Sequence, residues 1–260
     1  MSREVLDRPV PPGGLRLSYG PHSQNFGELR VPSARGPYPL AISIHGGFWR
    51  PQYGLDHMSH LCEALRRHGV ATWNIEYRRM TENDGDWRVT TGDALAGVRF
   101  ASSLPCPIDW SRVIVFGFSA GGHLALWTAG QDVGFQLRAA VSLAGAVDLR
   151  RGFELGIGNG VTGEFLGVMP SDETYRAASP FEQIPIATRV RLIHGTADET
   201  VPLEISERYL GAALQAGMNC ELLRLAGGDH FSVMDPTDPH WPAVETALVG
   251  LVCADISSDS

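Results

Sequence analysis

Residues 113–127 read VIVFGFSAGGHLALW, an apolar run, then a serine between glycines, then a second apolar run. The first run is rich in β-branched residues and predicts a buried strand, whereas the second has helical spacing. Gly117 and Gly121 flank Ser119, as a tight strand-to-helix turn requires, because bulky side chains would collide there. We therefore predict that Ser119 is a nucleophile whose hydroxyl is exposed at the carboxyl end of a strand.

Two segments offer backbone donors for a developing negative charge. The N–H of Ala120 lies at the predicted helix N-terminus, where negative charge is favoured. Upstream, residues 45–49 read HGGFW and follow an apolar run. Enzymes with this serine turn place a second donor at that point of the chain. We predict an oxyanion hole formed by the N–H groups of Gly47, Phe48 and Ala120; the alternative is a pair of glycine turns without chemistry.

A serine hydroxyl is a weak nucleophile and needs a histidine base that a carboxylate orients. The chain order in enzymes with this turn is serine, acid, histidine. Asp198 follows an apolar run, where the carboxyl end of a strand is expected, and Glu199 is the adjacent alternative. His230 follows a later strand pattern in the sequence GGDHF. We predict a triad of Ser119, Asp198 and His230.

The other histidines near motifs have a structural interpretation. His123 and His194 come too early in the chain order to be the base, so we expect them to be hydrogen-bonded in the core. His57 and His60 are three residues apart and could share a metal ion, but no third ligand stands at a suitable spacing. A solvated helix face is the preferred interpretation, and neither a metal nor a cofactor is predicted.

Short β-rich runs alternate with helical patterns from about residue 39, which is typical of a mainly parallel sheet. The predicted strands cover residues 39–45, 70–77, 113–118, 139–143, 189–194 and 221–225, with an antiparallel edge strand at 28–31. The predicted helices cover residues 57–68, 91–103, 120–129, 203–216 and 241–251. Residues 1–260 are expected to form one domain. Residues 148–180 are glycine-rich and too long for an ordinary loop, and predict a small cap.

Composition narrows the classes of partner. Hydrophobic residues make up 43% and charged residues 19% of the chain, enough for a sizeable core. A formal net charge of -8 argues against a nucleic-acid partner. The first residues, MSREVLDRPVPPGG, do not resemble a signal peptide, and no long apolar run predicts a membrane span, so a cytoplasmic location is expected. The four cysteines form no C-x-x-C pair and are expected to be free thiols.

Four motifs, in this order, resemble the kynurenine formamidase and small-esterase branch of the α/β-hydrolase superfamily, near the hormone-sensitive-lipase-like enzymes. They are HGGFW at 45–49, GFSAGG at 117–122, HGTADETVP at 194–202 and GDHF at 228–231. The resemblance covers residue 39 to the end of the chain. It implies the α/β-hydrolase fold and the triad and oxyanion roles given above. Formamidases usually have Tyr where this chain has Phe48, and lipase-like enzymes usually have a third Gly there, so the acyl donor stays open.

Three functions follow as hypotheses. The first is a serine carboxylic-ester hydrolase that acts on short-acyl esters through an acyl-enzyme and without a cofactor. The second is an arylformamidase, and the third is a non-catalytic binding protein of the same fold. The expected partner is a small ester or amide, with Trp49 and Trp87 as candidate walls of its pocket, and a homodimer is left open.

Overall fold

One mixed sheet forms the centre of the protein. The computed structural model describes residues 4–80, 86–167 and 169–253, and within these ranges eight strands form a sheet of order β1-β2-β4-β3-β5-β6-β7-β8. The strands are β1 (Leu15–Ser18), β2 (Phe26–Arg30), β3 (Tyr38–Ile44), β4 (Ala71–Ile75), β5 (Ile108–Phe118), β6 (Ala139–Leu143), β7 (Val190–Gly195) and β8 (Cys220–Leu225). Strands β3 to β8 pair in parallel, which confirms the predicted fold class, and β1 and β2 are antiparallel.

Helices cover the sheet. They are α1 (Glu4–Asp7), α2 (Ser59–Arg67), α3 (Trp87–Arg99), α4 (Ala120–Ala129), α5 (Leu149–Glu154), α6 (Ile157–Leu166), α7 (Asp172–Ala178), α8 (Glu204–Gln215) and α9 (Trp241–Cys253). Short 3-10 helices occupy Leu55–Met58, Phe100–Ser103 and Pro180–Gln183. Helix α4 has the predicted bounds, and all of its residues are buried.

The core divides between the two faces of the sheet. Within β3, Ile42 and Ile44 belong to an apolar cluster that also contains residues of α3, α4 and α8. Ala41, the residue before Ile42, belongs to a second cluster, with residues of α2 and α9. Because successive side chains of a strand point to opposite faces, a strand covered on both sides is apolar at nearly every position. This is why the central strands could be located from their sequence.

The first antiparallel strand was not predicted. Strand β2 is antiparallel, as expected, but it lies between β1 and β4 and is not the edge of the sheet. Strand β1 is the edge, and none of its four residues is buried. Its sequence, LRLS, alternates apolar and polar residues over only four positions, which is the shortest run that indicates a strand.

The predicted cap segment contains three short helices, α5, α6 and α7. Asp148 and Ser171 cap α5 and α7, each accepting a hydrogen bond from a backbone N–H three residues on. Inside α6, Gly158, Asn159 and Gly160 have φ values of 59°, 61° and 83°. This left-handed turn interrupts the helical spacing of the apolar residues, so no periodicity was visible in the sequence.

Candidate active site

Ser119 lies on the turn between β5 and α4 with φ of 55° and ψ of -118°. Such a conformation costs a non-glycine residue on the order of 1–3 kcal/mol and is typical of functional sites. The flanking glycines permit it. A Cβ on Gly117 would lie 2.1 Å from the carbonyl oxygen of Gly121, and one on Gly121 would lie 2.0 Å from that of Ile44. The turn can therefore form only without side chains at these two positions.

The loop after β3 passes directly beside this serine. A Cβ on Gly46 would lie 3.0 Å from the Cβ of Ser119. Gly47, Phe48 and Trp49 follow with φ values of 109°, 54° and 55°. Gly47 and Phe48 line the same pocket as Ser119. The backbone of the HGGFW motif thus passes beside Ser119 in a conformation that non-glycine residues rarely adopt.

A buried network lies behind this loop. The Nδ1 of His45 is 2.7 Å from the carbonyl oxygen of Gly46, and its Nε2 is 2.8 Å from Oε1 of Glu76. Burial alone would raise the pKa of Glu76, but the charge and hydrogen bond of His45 and the charge of Arg79 lower it. The ring of His45 thus connects the Gly46 carbonyl oxygen to the Glu76 carboxylate. The Tyr77 hydroxyl donates to the His45 carbonyl oxygen at 2.8 Å, which fixes the start of the loop.

An acid–histidine pair lies after β7 and β8. The Nδ1 of His230 is 2.7 Å from Oδ2 of Asp198, whose Oδ1 accepts from the N–H groups of Thr200 and Val201 at 2.8 and 2.9 Å. Burial alone would raise the pKa of Asp198, but hydrogen bonds from His194 and His230, with the His230 charge, hold it well below its usual range. An ionised carboxylate at this position favours the tautomer of the ring that carries its proton on Nδ1.

His194 also contacts the acid, which sequence analysis did not predict. Its Nε2 is 3.1 Å from Oδ2 of Asp198 and 2.8 Å from the carbonyl oxygen of Val201, and its Nδ1 is 2.8 Å from Oγ of Ser206. Since both partners of Nε2 accept, the ring donates from Nε2 and accepts the Ser206 hydroxyl. His194 and Asp198 are only four residues apart in the sequence HGTAD, and this spacing could have predicted the contact. The rival acid Glu199 is exposed, whereas Asp198 is buried.

Ser119 and His230 line one small pocket. Its other lining residues are Leu6, Gly47, Phe48, Tyr53, His57, Phe118, Thr200 and Phe231. The pocket encloses about 40 Å³, and its walls are mainly aromatic and aliphatic. A larger groove of about 400 Å³ is lined by residues between 129 and 188 without an ionisable side chain, so it offers no acid or base for chemistry. The combination of serine, histidine and strained backbone favours the smaller pocket as the site.

Trp49 and Trp87 were predicted to line the pocket, and the structure places both elsewhere. Trp49 is 1% exposed, and its ring stacks on Phe165 at 4.2 Å in the core. Trp87 is buried at the start of α3 and does not line the pocket. Tyr53 and His57 line it instead. His57 is half-buried where a solvated face was expected, and burial lowers its pKa to about 4.

Other expectations concern metals, thiols and membranes. Across the ranges that the structure describes, no group of three or more His, Cys, Asp or Glu side chains is arranged to hold a metal ion. All four cysteines are free thiols, and burial raises the pKa of Cys62 to about 11 and that of Cys220 to about 12. None of the helices among the described residues has the length and apolar character needed to cross a bilayer.

The parallel sheet, with the serine turn after β5 and the acid and histidine after β7 and β8, defines an α/β-hydrolase fold. Solved structures agree. Native esterase 2 of Thermogutta terrifontis superposes with a TM-score of 0.75 at 22% identity, over 98% of this chain and 100% of that one. The same esterase with bound propionate gives a TM-score of 0.72 at 22% identity, over 94% and 97%. At this identity the likeness establishes the fold.

The chain belongs to the BD-FAE family, whose model matches residues 29–212. Among curated relatives, a probable isoprenylcysteine alpha-carbonyl methylesterase of Oryza sativa subsp. japonica is 25% identical over 83% of this chain and 57% of its own length. A second probable methylesterase of that type, from Arabidopsis thaliana, is 24% identical over 93% and 63%. The chain thus spans less than two thirds of these relatives. The comparisons do not show the kynurenine formamidase branch.

Proposed function

We propose that the protein is a serine esterase that hydrolyses small carboxylic esters through an acyl-enzyme, with Ser119, Asp198 and His230 as its triad. The observation that carries this proposal is the 2.7 Å bond from His230 to the buried Asp198, with His230 facing the pocket of Ser119. Membership of the BD-FAE family and the methylesterase relatives support it.

The proposed mechanism assigns a step to each of these groups. The Oγ of Ser119 attacks the ester carbonyl carbon, and Nε2 of His230 takes the hydroxyl proton. The N–H groups of Gly47, Phe48 and Ala120 stabilise the resulting oxyanion, each contributing about a hundredfold or more to the rate. His230 then protonates the leaving alkoxide. Water cleaves the acyl-enzyme with the same histidine as base, which restores the free Ser119.

The size of the pocket favours a short acyl group. About 40 Å³ is far below the roughly 300 Å³ or more of sites that enclose drug-sized ligands. Phe48, Phe118 and Phe231 enclose it with rings. The related Thermogutta esterase has been solved with propionate and with butyrate bound, which supports short acyl chains for the fold neighbour. We expect acetyl and propionyl esters to be better substrates than octanoyl esters.

The second candidate is an arylformamidase, because a formyl group is smaller still and also fits this pocket. Comparing p-nitrophenyl acetate with N-formylkynurenine at equal enzyme concentration separates the two activities. A strong preference for the ester supports the esterase. A strong preference for the formamide would make arylformamide hydrolysis the function.

The test of the proposal is turnover of p-nitrophenyl esters from acetyl to octanoyl by the wild type and two serine variants. Ser119→Ala is expected to lower turnover by about 10⁴-fold or more, because the triad acts as a unit. Ser102→Ala, at an exposed position outside the pocket, is the control and should turn over like the wild type. A folded wild type that hydrolyses none of the esters or formamides would favour the non-catalytic binding protein.

A further inference from the structure

Helix α6 begins with a left-handed turn that lies against the loop after β3. Gly158 is the point of contact: a Cβ there would lie 2.8 Å from Cε1 and 3.0 Å from Cδ1 of Phe48, and 2.8 Å from Cγ1 of Val161 within α6 itself. Gly160, two residues on, has a φ of 83° and no atom within 4 Å of a Cβ placed there. The edge of the Phe48 ring therefore packs where the turn has no side chain.

The rest of α6 engages the next two residues of the loop. The ring of Trp49 stacks on Phe165 at 4.2 Å with the planes 7° apart. Arg50 pairs with Glu164 at 3.1 Å. Three consecutive loop residues thus each contact α6, and the Trp49 and Phe165 rings are both buried.

These contacts bear on the conformation of the loop. Phe48 and Trp49 have φ values of 54° and 55°, which are unfavourable for residues with side chains. A conformation of this kind persists only where the surrounding structure enforces it. The His45 network fixes the start of the loop, and α6 packs against its side chains from the other end.

We propose that α6, through the bare surface at Gly158, is a positioning element for the oxyanion hole. It holds Phe48 in the left-handed conformation that directs the Phe48 N–H toward the carbonyl oxygen of the substrate. The inference rests on the esterase function proposed above. Gly158 is a positioning residue and touches no reacting atom. Because an oxyanion donor acts on the transition state, its displacement lowers kcat more than it changes KM.

The test compares Gly158→Ala with Gly160→Ala, using p-nitrophenyl acetate. Both variants place a methyl group at a left-handed position and share that backbone cost, but only the first collides with Phe48, and with Val161 inside α6. Misplacing a reacting group by about 1 Å can cost roughly a hundredfold, so Gly158→Ala should lower kcat by about tenfold or more and change KM by less than about threefold. Gly160→Ala should keep kcat within about twofold of the wild type, since it leaves the donor in place.

Repeating the Gly158→Ala substitution in a Phe48→Leu variant shows whether Phe48 is the residue through which it acts. In Phe48→Leu, whose side chain is shorter, adding Gly158→Ala should lower kcat by less than about threefold, because the collision with Phe48 is relieved and only the contact with Val161, away from the loop, remains. Melting temperatures show whether each variant is folded. If Gly158→Ala alone is unfolded at the assay temperature, the double variant must still fold and turn over like Phe48→Leu.

Three outcomes overturn the inference: equal kcat losses for the two glycine variants, a loss that is undiminished in Phe48→Leu, or an unfolded double variant beside a folded Gly160→Ala. Each of these requires an active wild type. A folded wild type without esterase activity contradicts the proposed function instead, so the two failures are distinguishable.

Discussion

Two loops at the carboxyl edge of the sheet hold their functional groups by different means. The loop after β3 is proposed to act through its backbone N–H groups, and Gly47, Phe48 and Trp49 take up left-handed conformations that packing must enforce. The loop after β7 presents a side chain, Asp198, whose carboxylate is held by hydrogen bonds from backbone and histidine donors. The difference predicts that the first loop is sensitive to added volume and the second to lost donors or charge.

Substitution of Asp198, in the loop after β7, should lower kcat more than any other change proposed below. Asp198→Asn removes the charge that keeps the proton of His230 on Nδ1, and a triad that loses this control of the tautomer loses about 10⁴-fold in kcat. Glu199→Gln is the matched control, because Glu199 is adjacent but exposed, and its kcat should match that of the wild type. Steady-state kinetics with p-nitrophenyl acetate measure both. An equal loss in the two variants would mean that the acid is misassigned.

A larger side chain in the loop after β3 should cause the second-largest loss of kcat. In Gly47→Ala the new Cβ would lie 2.3 Å from Cβ of Tyr53 at a φ of 109°, so the loop must move. Loss of one oxyanion donor lowers kcat by about a hundredfold or more. Gly69→Ala, also at a positive φ but with no atom within 4 Å, controls for backbone cost and should leave kcat unchanged. A Gly47→Ala enzyme with normal kcat would remove this loop from the mechanism.

Removing one donor to the acid should have a smaller effect. His194→Ala takes away the Nε2 contact to Asp198, while Thr200, Val201 and His230 still hold the carboxylate. A hydrogen bond to a charged group contributes about 1.5–3 kcal/mol, so we expect kcat to fall by about tenfold. His194→Gln can donate from its amide and should retain more activity than His194→Ala. Identical kcat values for these two variants would show that the lost donor is not the cause.

Lowering the pH should reduce the stability contributed by the two regions over different pH ranges. This is the smallest of the expected effects. The pKa of His57, beside the first loop, is about 4 in the folded protein and about 6.5 in an unfolded chain, so protonation of the unfolded state costs stability as pH falls from 6.5 to 4. The pKa of Asp198 is lowered by folding, so its stabilisation is present above about pH 4 and is lost only in stronger acid.

Urea unfolding at pH 7 and pH 4.5 measures the contribution of His57. We expect the wild type to lose more of its free energy of unfolding between these pH values than His57→Gln does. Equal losses would show that the burial of this ring does not govern its titration. Asp198→Asn should change the loss little over the same interval, because the carboxylate stays ionised in the folded protein.

The parts of the molecule that sequence predicted are those where local pattern and tertiary structure agree. The central parallel strands are apolar on both faces, and the serine turn requires glycine at Gly117 and Gly121 for steric reasons that hold in any sequence context. These features place the carboxyl ends of β3, β5, β7 and β8 at one edge. The triad, the cytoplasmic location and the homodimer stay predictions.

The parts that sequence missed depend on packing between distant segments. Leu6, Tyr53 and His57 enter the pocket from α1 and from the chain around the first 3-10 helix, and no local motif marks them. Trp49 turns into the core because its left-handed backbone directs the ring onto Phe165. Strand β1 has no buried residue, and its alternating sequence LRLS is too short to specify the pairing with β2.

The most direct test of the central claim is to map the residue that a fluorophosphonate modifies. The wild type is labelled, digested and analysed by mass spectrometry, with Ser119→Ala as the control. We expect a single adduct on the peptide containing Ser119, no adduct in the variant, and loss of ester hydrolysis in proportion to labelling. An adduct on another residue, or ester hydrolysis that survives full labelling of Ser119, would contradict the assignment of this serine as the nucleophile.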